Sequence, residues 1–171
     1  MSQLTSRRAF LSARALREDT GAIRPPGAVA AGFGDLCTRC GDCVAACPEG
    51  IIIIDADGYP MIGLTKGPCT FCGDCAKSCA TGALESDRLS DWPWRAEITR
   101  GSCLSMQGVS CRLCQDSCES NAIGFDLRLG GRAEPHLDLD ACTGCGACAH
   151  ACPVGAVTLE RHATQQPEDI Q

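Results

Sequence analysis

Sixteen cysteines, about 9% of the 171 residues, are the side chains best equipped for chemistry in this sequence. They fall into four blocks with none left over. The first is Cys37-x2-Cys40-x2-Cys43-x3-Cys47-Pro48, the second Cys69-x2-Cys72-x2-Cys75-x3-Cys79, and the fourth Cys142-x2-Cys145-x2-Cys148-x3-Cys152-Pro153. The third is stretched, Cys103-x7-Cys111-x2-Cys114-x3-Cys118. Three thiolates at two-residue gaps wrap a tight loop around one iron–sulfur cubane, each on a separate iron. A fourth, three residues on, opens a short helix and points away, and in two-cluster ferredoxins it ligates the neighbouring cluster. On that rule Cys37, Cys40 and Cys43 go with Cys79, and Cys69, Cys72 and Cys75 with Cys47. Likewise Cys142, Cys145 and Cys148 go with Cys118, which leaves Cys103, Cys111 and Cys114 with Cys152. Structural zinc favours paired CxxC elements a dozen or more residues apart, a poorer match. For the stretched third block, zinc, a disulfide or no metal stay open, so the count is three [4Fe–4S] clusters or four.

Elements around these blocks follow the same plan. Gly41, Gly73, Gly144 and Gly146 lie inside the loops, where backbone must approach inorganic sulfur without a side chain in the way. Ala45, Ala46, Ala76, Ala80, Ala149 and Ala151 suit short helices packed on the clusters, whereas the third block has Arg112, Leu113, Gln115 and Asp116 and reads as less tightly packed. An apolar segment follows each block: residues 51–54, Ala83-Leu84, Ala122-Ile123-Gly124-Phe125 and Ala156-Val157-Thr158-Leu159, each suited to a short covering strand. Asp55-Ala56-Asp57-Gly58 reads as a hairpin turn leading to a strand over 59–62. Leu129-Gly130-Gly131-Arg132 reads as a second turn, leading to an edge strand at 136–139 with Pro135 just before it. The expected class is α+β: two small ferredoxin-like dicluster modules over 36–87 and 102–163, stabilised by their clusters. Residues 1–35 are expected as an irregular tail, 88–101 as a linker and 164–171 as a C-terminal tail. Aromatics make up only 4% of the chain, so a large core is excluded and metal binding must supply folding energy.

Charge and hydropathy limit the partners. The formal net charge is −6, with +2 on residues 1–35 and −8 on the rest. Each thiolate-ligated cubane adds roughly −2 more in its oxidised form. Such a body does not suit nucleic acid and does suit a basic docking face on a protein. No apolar run approaches the ~18 residues a membrane span needs. Ser6-Arg7-Arg8-Ala9-Phe10-Leu11 reads like a twin-arginine export signal, but the polar run that follows it is no h-region. The chain is expected to stay in the cytoplasm, a reducing compartment that argues against disulfides.

Several residues carry plainer readings. His136, His150 and His162 are not expected as ligands, because four thiolates per cluster suffice. Trp92 and Trp94 read as linker packing. Arg7, Arg8, Arg14 and Arg17 read as a solvated face, with partner docking by Arg7 and Arg8 as the sharper alternative. No phosphate loop, dinucleotide fingerprint or nucleophile triad is supported, so no substrate site is expected and the chain is not read as an enzyme.

Together, Ser6-Arg7-Arg8, Ile23-Arg24-Pro25-Pro26-Gly27, Cys37-Thr38-Arg39-Cys40, Gly58-Tyr59-Pro60, Cys111-Arg112-Leu113-Cys114-Gln115-Asp116-Ser117-Cys118-Glu119 and Cys142-Thr143-Gly144-Cys145-Gly146-Ala147-Cys148 resemble the NapF family. These are ferredoxin-type accessory proteins of the periplasmic nitrate reductase system. The resemblance runs from about Ser6 to Thr158. It implies a cytoplasmic protein acting on the catalytic molybdenum subunit before export, in assembling that subunit's [4Fe–4S] cluster or supplying electrons for it. It also implies three clusters, on the first, second and fourth blocks. An electron-transfer subunit of an anaerobic respiratory chain, fed by a redox donor, is the alternative from a different class. A third is an interaction module whose clusters only hold its shape.

Overall fold

The computed structural model describes residues 21–129 and 132–162. Within them the chain forms two compact units. One comprises residues 21–62 and 72–91, the other 63–71 and 92–162.

The first unit contains helix α1 (Phe33–Leu36), helix α2 (Asp42–Ala46), strands β1 (Ile52–Ile54) and β2 (Pro60–Ile62), helix α3 (Asp74–Lys77) and a 3-10 turn over Ser86–Asp91. Helices of four or five residues are far below the length at which a helix survives alone in water, so loop geometry and packing must hold them. Strands β1 and β2 pair antiparallel with Ile52 opposite Ile62 and Ile54 opposite Pro60. The turn between them falls where Asp55 and Gly58 predict it. The Asp55 carboxylate accepts the backbone N–H of Asp57 at 2.9 Å and of Tyr59 at 2.8 Å, and Gly58 takes φ 85°. Arg24 closes the turn from outside, donating to the Asp55 carboxylate at 2.7 Å and to the Pro60 carbonyl at 3.0 Å.

Residues 21–35 correct the expectation of an irregular tail. Pro25 and Pro26 are fully buried. Their neighbours are tied in by backbone bonds: Ile62 N–H to Ile23 O at 2.7 Å, Val29 N–H to Ala83 O at 3.1 Å and Glu85 N–H to Gly27 O at 2.9 Å. Ala83-Leu84 is correspondingly no strand of a hairpin; Leu84 makes a single antiparallel bridge with Ala28. Proline cannot extend a ladder, but a buried Pro-Pro pair fills core space at little entropic cost.

The second unit contains strand β3 (Trp94–Ile98), a 3-10 turn (Ser105–Gln107), helix α4 (Leu113–Asp116), strands β4 (Ile123–Leu127) and β5 (Ala133–Leu137), helix α5 (Ala147–Ala151) and strand β6 (Val157–Arg161). Strands β4 and β5 form the second expected hairpin, with Ile123 opposite Leu137 and Leu127 opposite Ala133. Pro135 sits inside β5, opposite Phe125, rather than before the strand. Among the described residues this sheet has only two strands, so the imide nitrogen falls on a free edge, where no ladder donor is needed. The stretch 88–101 is not a bare linker. Its residues 94–98 form β3, paired antiparallel with β6 from Trp94 opposite Arg161 to Ile98 opposite Val157. Trp92 and Trp94 are both buried, and Trp92 donates its indole N–H to Gly144 O at 3.1 Å. Packing is therefore their role.

Hydrogen bonds from Arg24 and the turn amides outweigh the effect of partial burial on Asp55 and hold its carboxyl below the usual carboxylate range. The pair is mostly covered, with the Arg24 and Asp55 side chains 11% and 16% exposed. A lowered carboxyl contributes stability that is present above the ordinary carboxylate range and lost as pH falls through the folded value. Asp55→Asn should cost about 1–2 kcal/mol at pH 7. Its deficit against the parent protein should shrink below about pH 4, as read from denaturant midpoints across pH.

Candidate functional site

Each cysteine loop is bent by residues with positive φ. The residue before the second cysteine is left-handed in three blocks: Arg39 at φ 61°, Phe71 at 53° and Gly144 at 73°. The residue after it, Gly41, Gly73 or Gly146, is left-handed as well and caps the following helix. Two such residues in succession turn the chain tightly enough to aim consecutive thiols inward. At the same place the third block has Arg112 with φ −139°, and helix α4 buries none of its residues. That bears out the looser packing read from its sequence.

Three of the four expected cysteine sets line cavities. In the first unit Cys37, Cys40, Cys43 and Cys79 line one cavity. In the second unit Cys142, Cys145, Cys148 and Cys118 line another. Cys103, Cys111, Cys114 and Cys152 line a third. Among the described residues no three Cys, His, Asp or Glu side chains converge on one point. A cubane with four separate iron ligands fits such a spread; one tetrahedral zinc does not. Of the remaining set, Cys47, Cys72 and Cys75 lie in the first unit and Cys69 in the 63–71 segment of the second. Cys69 accepts the Phe71 N–H on its sulfur at 3.5 Å and donates its own N–H to Cys145 O at 2.7 Å.

The thiols sit in two kinds of surroundings. Burial pushes Cys148 up to about 12, helped by the nearby Cys145, Cys142 and Cys118. Burial pushes Cys114 up to about 11, with Cys103 and Cys111 adding to it, and raises Cys43 beside Cys37 and Cys40. These thiols resist ionisation unless a cation compensates the charge, as iron would. The fourth cysteines are different. Cys79 accepts the Leu84 N–H at 3.4 Å, Cys118 the Ala122 N–H at 3.3 Å and Cys152 the Ala156 N–H at 3.2 Å. At Cys79 burial is the largest influence and pushes upward, but these donors and the Thr81 hydroxyl outweigh it and hold the thiol below its ordinary value. Amide donors aimed at sulfur are the arrangement that stabilises a ligating thiolate.

The sequence reading missed what aims those amides. The third residue after each fourth cysteine is left-handed: Gly50 at φ 61°, Gly82 at 73°, Asn121 at 54° and Gly155 at 62°. Three of these turns close with an N–H back to the cysteine carbonyl, from Gly50 to Cys47 at 3.1 Å, Asn121 to Cys118 at 3.1 Å and Gly155 to Cys152 at 3.3 Å. The signal was present as Gly or Asn at a fixed offset in all four blocks. The seven-residue gap that stretches the third block takes a definite path. It folds out as the Ser105–Gln107 turn, pinned by the buried Ser105 hydroxyl donating to Ala133 O at 2.6 Å and by Gln107 Nε2 donating to Gly101 O at 2.8 Å. Cys103 thereby reaches the same cavity as Cys111 and Cys114.

The remaining expectations fall as follows. His136 faces Asp126 at 3.6 Å, and His150 lies 3.2 Å from Thr65 O. None of the three histidines lines a cysteine cavity. Arg7, Arg8, Arg14 and Arg17 lie outside the described residues. Among the described residues no helix is long and apolar enough to cross a membrane.

Residues 36–84 and 109–156 each match a family model described as a 4Fe-4S dicluster domain. The chain is 45% identical over 138 residues to the ferredoxin-type protein NapF of Haemophilus influenzae, covering 80% of this chain and 78% of that one. It is 43% identical over 157 residues to the ferredoxin-type protein NapF of Escherichia coli K12, covering 91% and 94%. It is also 34% identical to the methylamine utilization ferredoxin-type protein MauM of Methylorubrum extorquens, covering 85% and 74%. Two dicluster domains that hold fifteen of the sixteen cysteines, three of the four blocks in ferredoxin spacing, make this an iron–sulfur protein with several [4Fe–4S] clusters.

Two glycines separate the demands of backbone and space. A Cβ on Gly41 would meet nothing within 4 Å, whereas one on Gly144 would run into Trp94 O and Trp92 Nε1. Gly41→Ala should cost at least the left-handed penalty, about 1–2 kcal/mol, with no clash against the protein itself. Gly144→Ala should lose at least about twice that in the iron-loaded protein. Denaturant midpoints of the two variants measure the difference.

Proposed function

Since the chain belongs to the NapF family of ferredoxin-type proteins, we propose that it matures the catalytic molybdenum subunit of periplasmic nitrate reductase in the cytoplasm, before that subunit is exported. It is a ferredoxin-type iron–sulfur protein of electron-transfer kind rather than an enzyme with its own substrate site. Four thiolates per set hold each cluster: Cys37, Cys40, Cys43 and Cys79; Cys69, Cys72, Cys75 and Cys47; Cys142, Cys145, Cys148 and Cys118. The stretched block makes a fourth set, Cys103, Cys111 and Cys114 with Cys152, supported by the cavity those four line. When bound, the clusters supply one-electron exchange. The chain's own residues supply ligation, amide donors and electrostatics.

The observation that carries the reading is the likeness to NapF proteins over most of the chain. Docking on the unexported partner is assigned to Arg7 and Arg8, the alternative to a merely solvated face. An electron-transfer subunit of an anaerobic respiratory chain, supplied by a separate donor, is the second reading. It is favoured by Cys40 and Cys72 being exposed, which gives electrons an open edge to enter or leave by.

Deleting the gene and measuring iron per molybdenum in the catalytic nitrate reductase subunit from anaerobic cells separates the two. A subunit with molybdenum but little iron supports maturation; a fully loaded subunit sinks it and leaves electron transfer. The fourth set has its own test. Cys103→Ser should remove on the order of four irons per chain from anaerobically reconstituted protein, and unchanged iron would show that the stretched block holds no cluster.

A further inference from the structure

Arg39 is the residue in the first loop whose geometry exceeds what ligation needs. It holds the left-handed position before Cys40 at φ 61°, a conformation costly for a residue with a Cβ. Its side chain is then fixed from three directions. The guanidinium stacks 4.2 Å from the centre of the Tyr59 ring. Its Nη2 donates to the Tyr59 hydroxyl at 2.7 Å, and that hydroxyl donates to Gly34 O at 3.1 Å. Its Cδ rests where a Cβ on Gly58 would come within 3.2 Å. An arginine stem loses considerable rotamer freedom when held this way.

The direct contacts of the clamp are neutral, and Asp57 acts on the guanidinium only from beyond ion-pair distance. Among the described residues no carboxylate comes within ion-pair distance of Arg39, unlike Lys77 in the second block, whose charge is met by Asp74 at 2.9 Å. Arg39 also lines the cavity of Cys37, Cys40, Cys43 and Cys79, and among the described residues no other arginine or lysine lines any of the three cavities. Arg112, in the third block, stacks over Phe125 at 5.7 Å and lies outside its cavity wall. One carboxylate, Asp42, shares the wall with Arg39. Its counterpart in the second block is Asp74, so an acid there is common to both loops; at the position of Arg39 the other three blocks carry Phe71, Ser110 and Gly144.

Resting on the ligand set assigned above, we propose that Arg39 is a tuning residue: held by Tyr59, it raises the reduction potential of the cluster carried by Cys37, Cys40, Cys43 and Cys79. Reduction adds one negative charge to a cluster, and a fixed cation beside it favours the reduced state while Asp42 works in the opposite direction. Because Arg39 is exposed, salt screens the effect.

The test is a redox titration of anaerobically reconstituted full-length protein, with iron content measured on every sample. Arg39→Gln should move one cluster to a more negative midpoint and leave the others in place, with iron unchanged. Arg39→Lys should stay near the parent, and Asp42→Asn should move the same cluster upward. The Arg39→Gln shift should shrink as salt is raised. If Arg39→Gln fails to hold iron, Tyr59→Phe, which keeps the charge but loosens the clamp, should give a smaller negative shift. Midpoints that do not move, or that move equally in Arg39→Gln and Arg39→Lys, overturn the proposal and leave Arg39 a mechanical staple between loop and hairpin. A parent protein that binds no iron would instead refute the ligand reading.

Discussion

The rest of the structure depends on gathering thiols inside a chain with almost no conventional core. The largest fully buried side chains are Ile51, Pro25 and Pro26, and the helices run to four or five residues. Burial alone pushes thiols such as Cys148 towards the neutral form, so the thiolates that ligation requires are stable only when iron is there to meet them. Ligation and folding are therefore one event. Buried apolar residues lie in the β1–β2 hairpin, the tryptophan pair and β6, and Ile54, Pro60, Val157 and Leu159 line the cysteine cavities.

Under that constraint the loops solve one geometric problem several times. Left-handed residues flank the second cysteine in three blocks, and another follows the fourth cysteine in all four. The first group aims side chains at the cavity; the second aims amides at the fourth sulfur. Where the pattern lapses, in the third block, other contacts compensate. Ser105 and Gln107 pin the longer loop, and Arg112 stacks on Phe125 instead of yielding its place to glycine. The position before the second cysteine is freest to vary. Gly144 is obligatory there because Trp94 O and Trp92 Nε1 leave no space, while Arg39 stacks on Tyr59 and Phe71 meets Trp92 edge-on.

Cysteine spacing made most of the candidate site legible in advance, because cubane ligation imposes a short and rigid register. The cross-assignment of Cys79, Cys118 and Cys152 to the other loop of each pair corresponds to the cavities they line. The hairpins were legible too, since Asp55 and Gly58 state their turn chemistry locally. What escaped was long-range. Nothing near Pro25 says that it will be buried, because the reason is Ala83 and Glu85 some sixty residues on. Nothing near Trp94 says strand, because its partner is Arg161. A segment bracketed by Pro93 and charged residues reads as linker until the far end of the chain is brought beside it.

That pairing of β3 with β6 has a consequence for how the protein is made. Synthesis runs from the N-terminus, and domains tend to fold as they emerge. The described contacts of the first unit close within residues 21–91. Strand β3, by contrast, waits for about sixty more residues before Val157–Arg161 can lie against it. Both cavities of the second unit draw on this late segment, one through Leu159 and the other through Cys152 and Val157. Neither cavity of this half can close until that segment has been made. The order of synthesis thus sets the order in which the cavities can form.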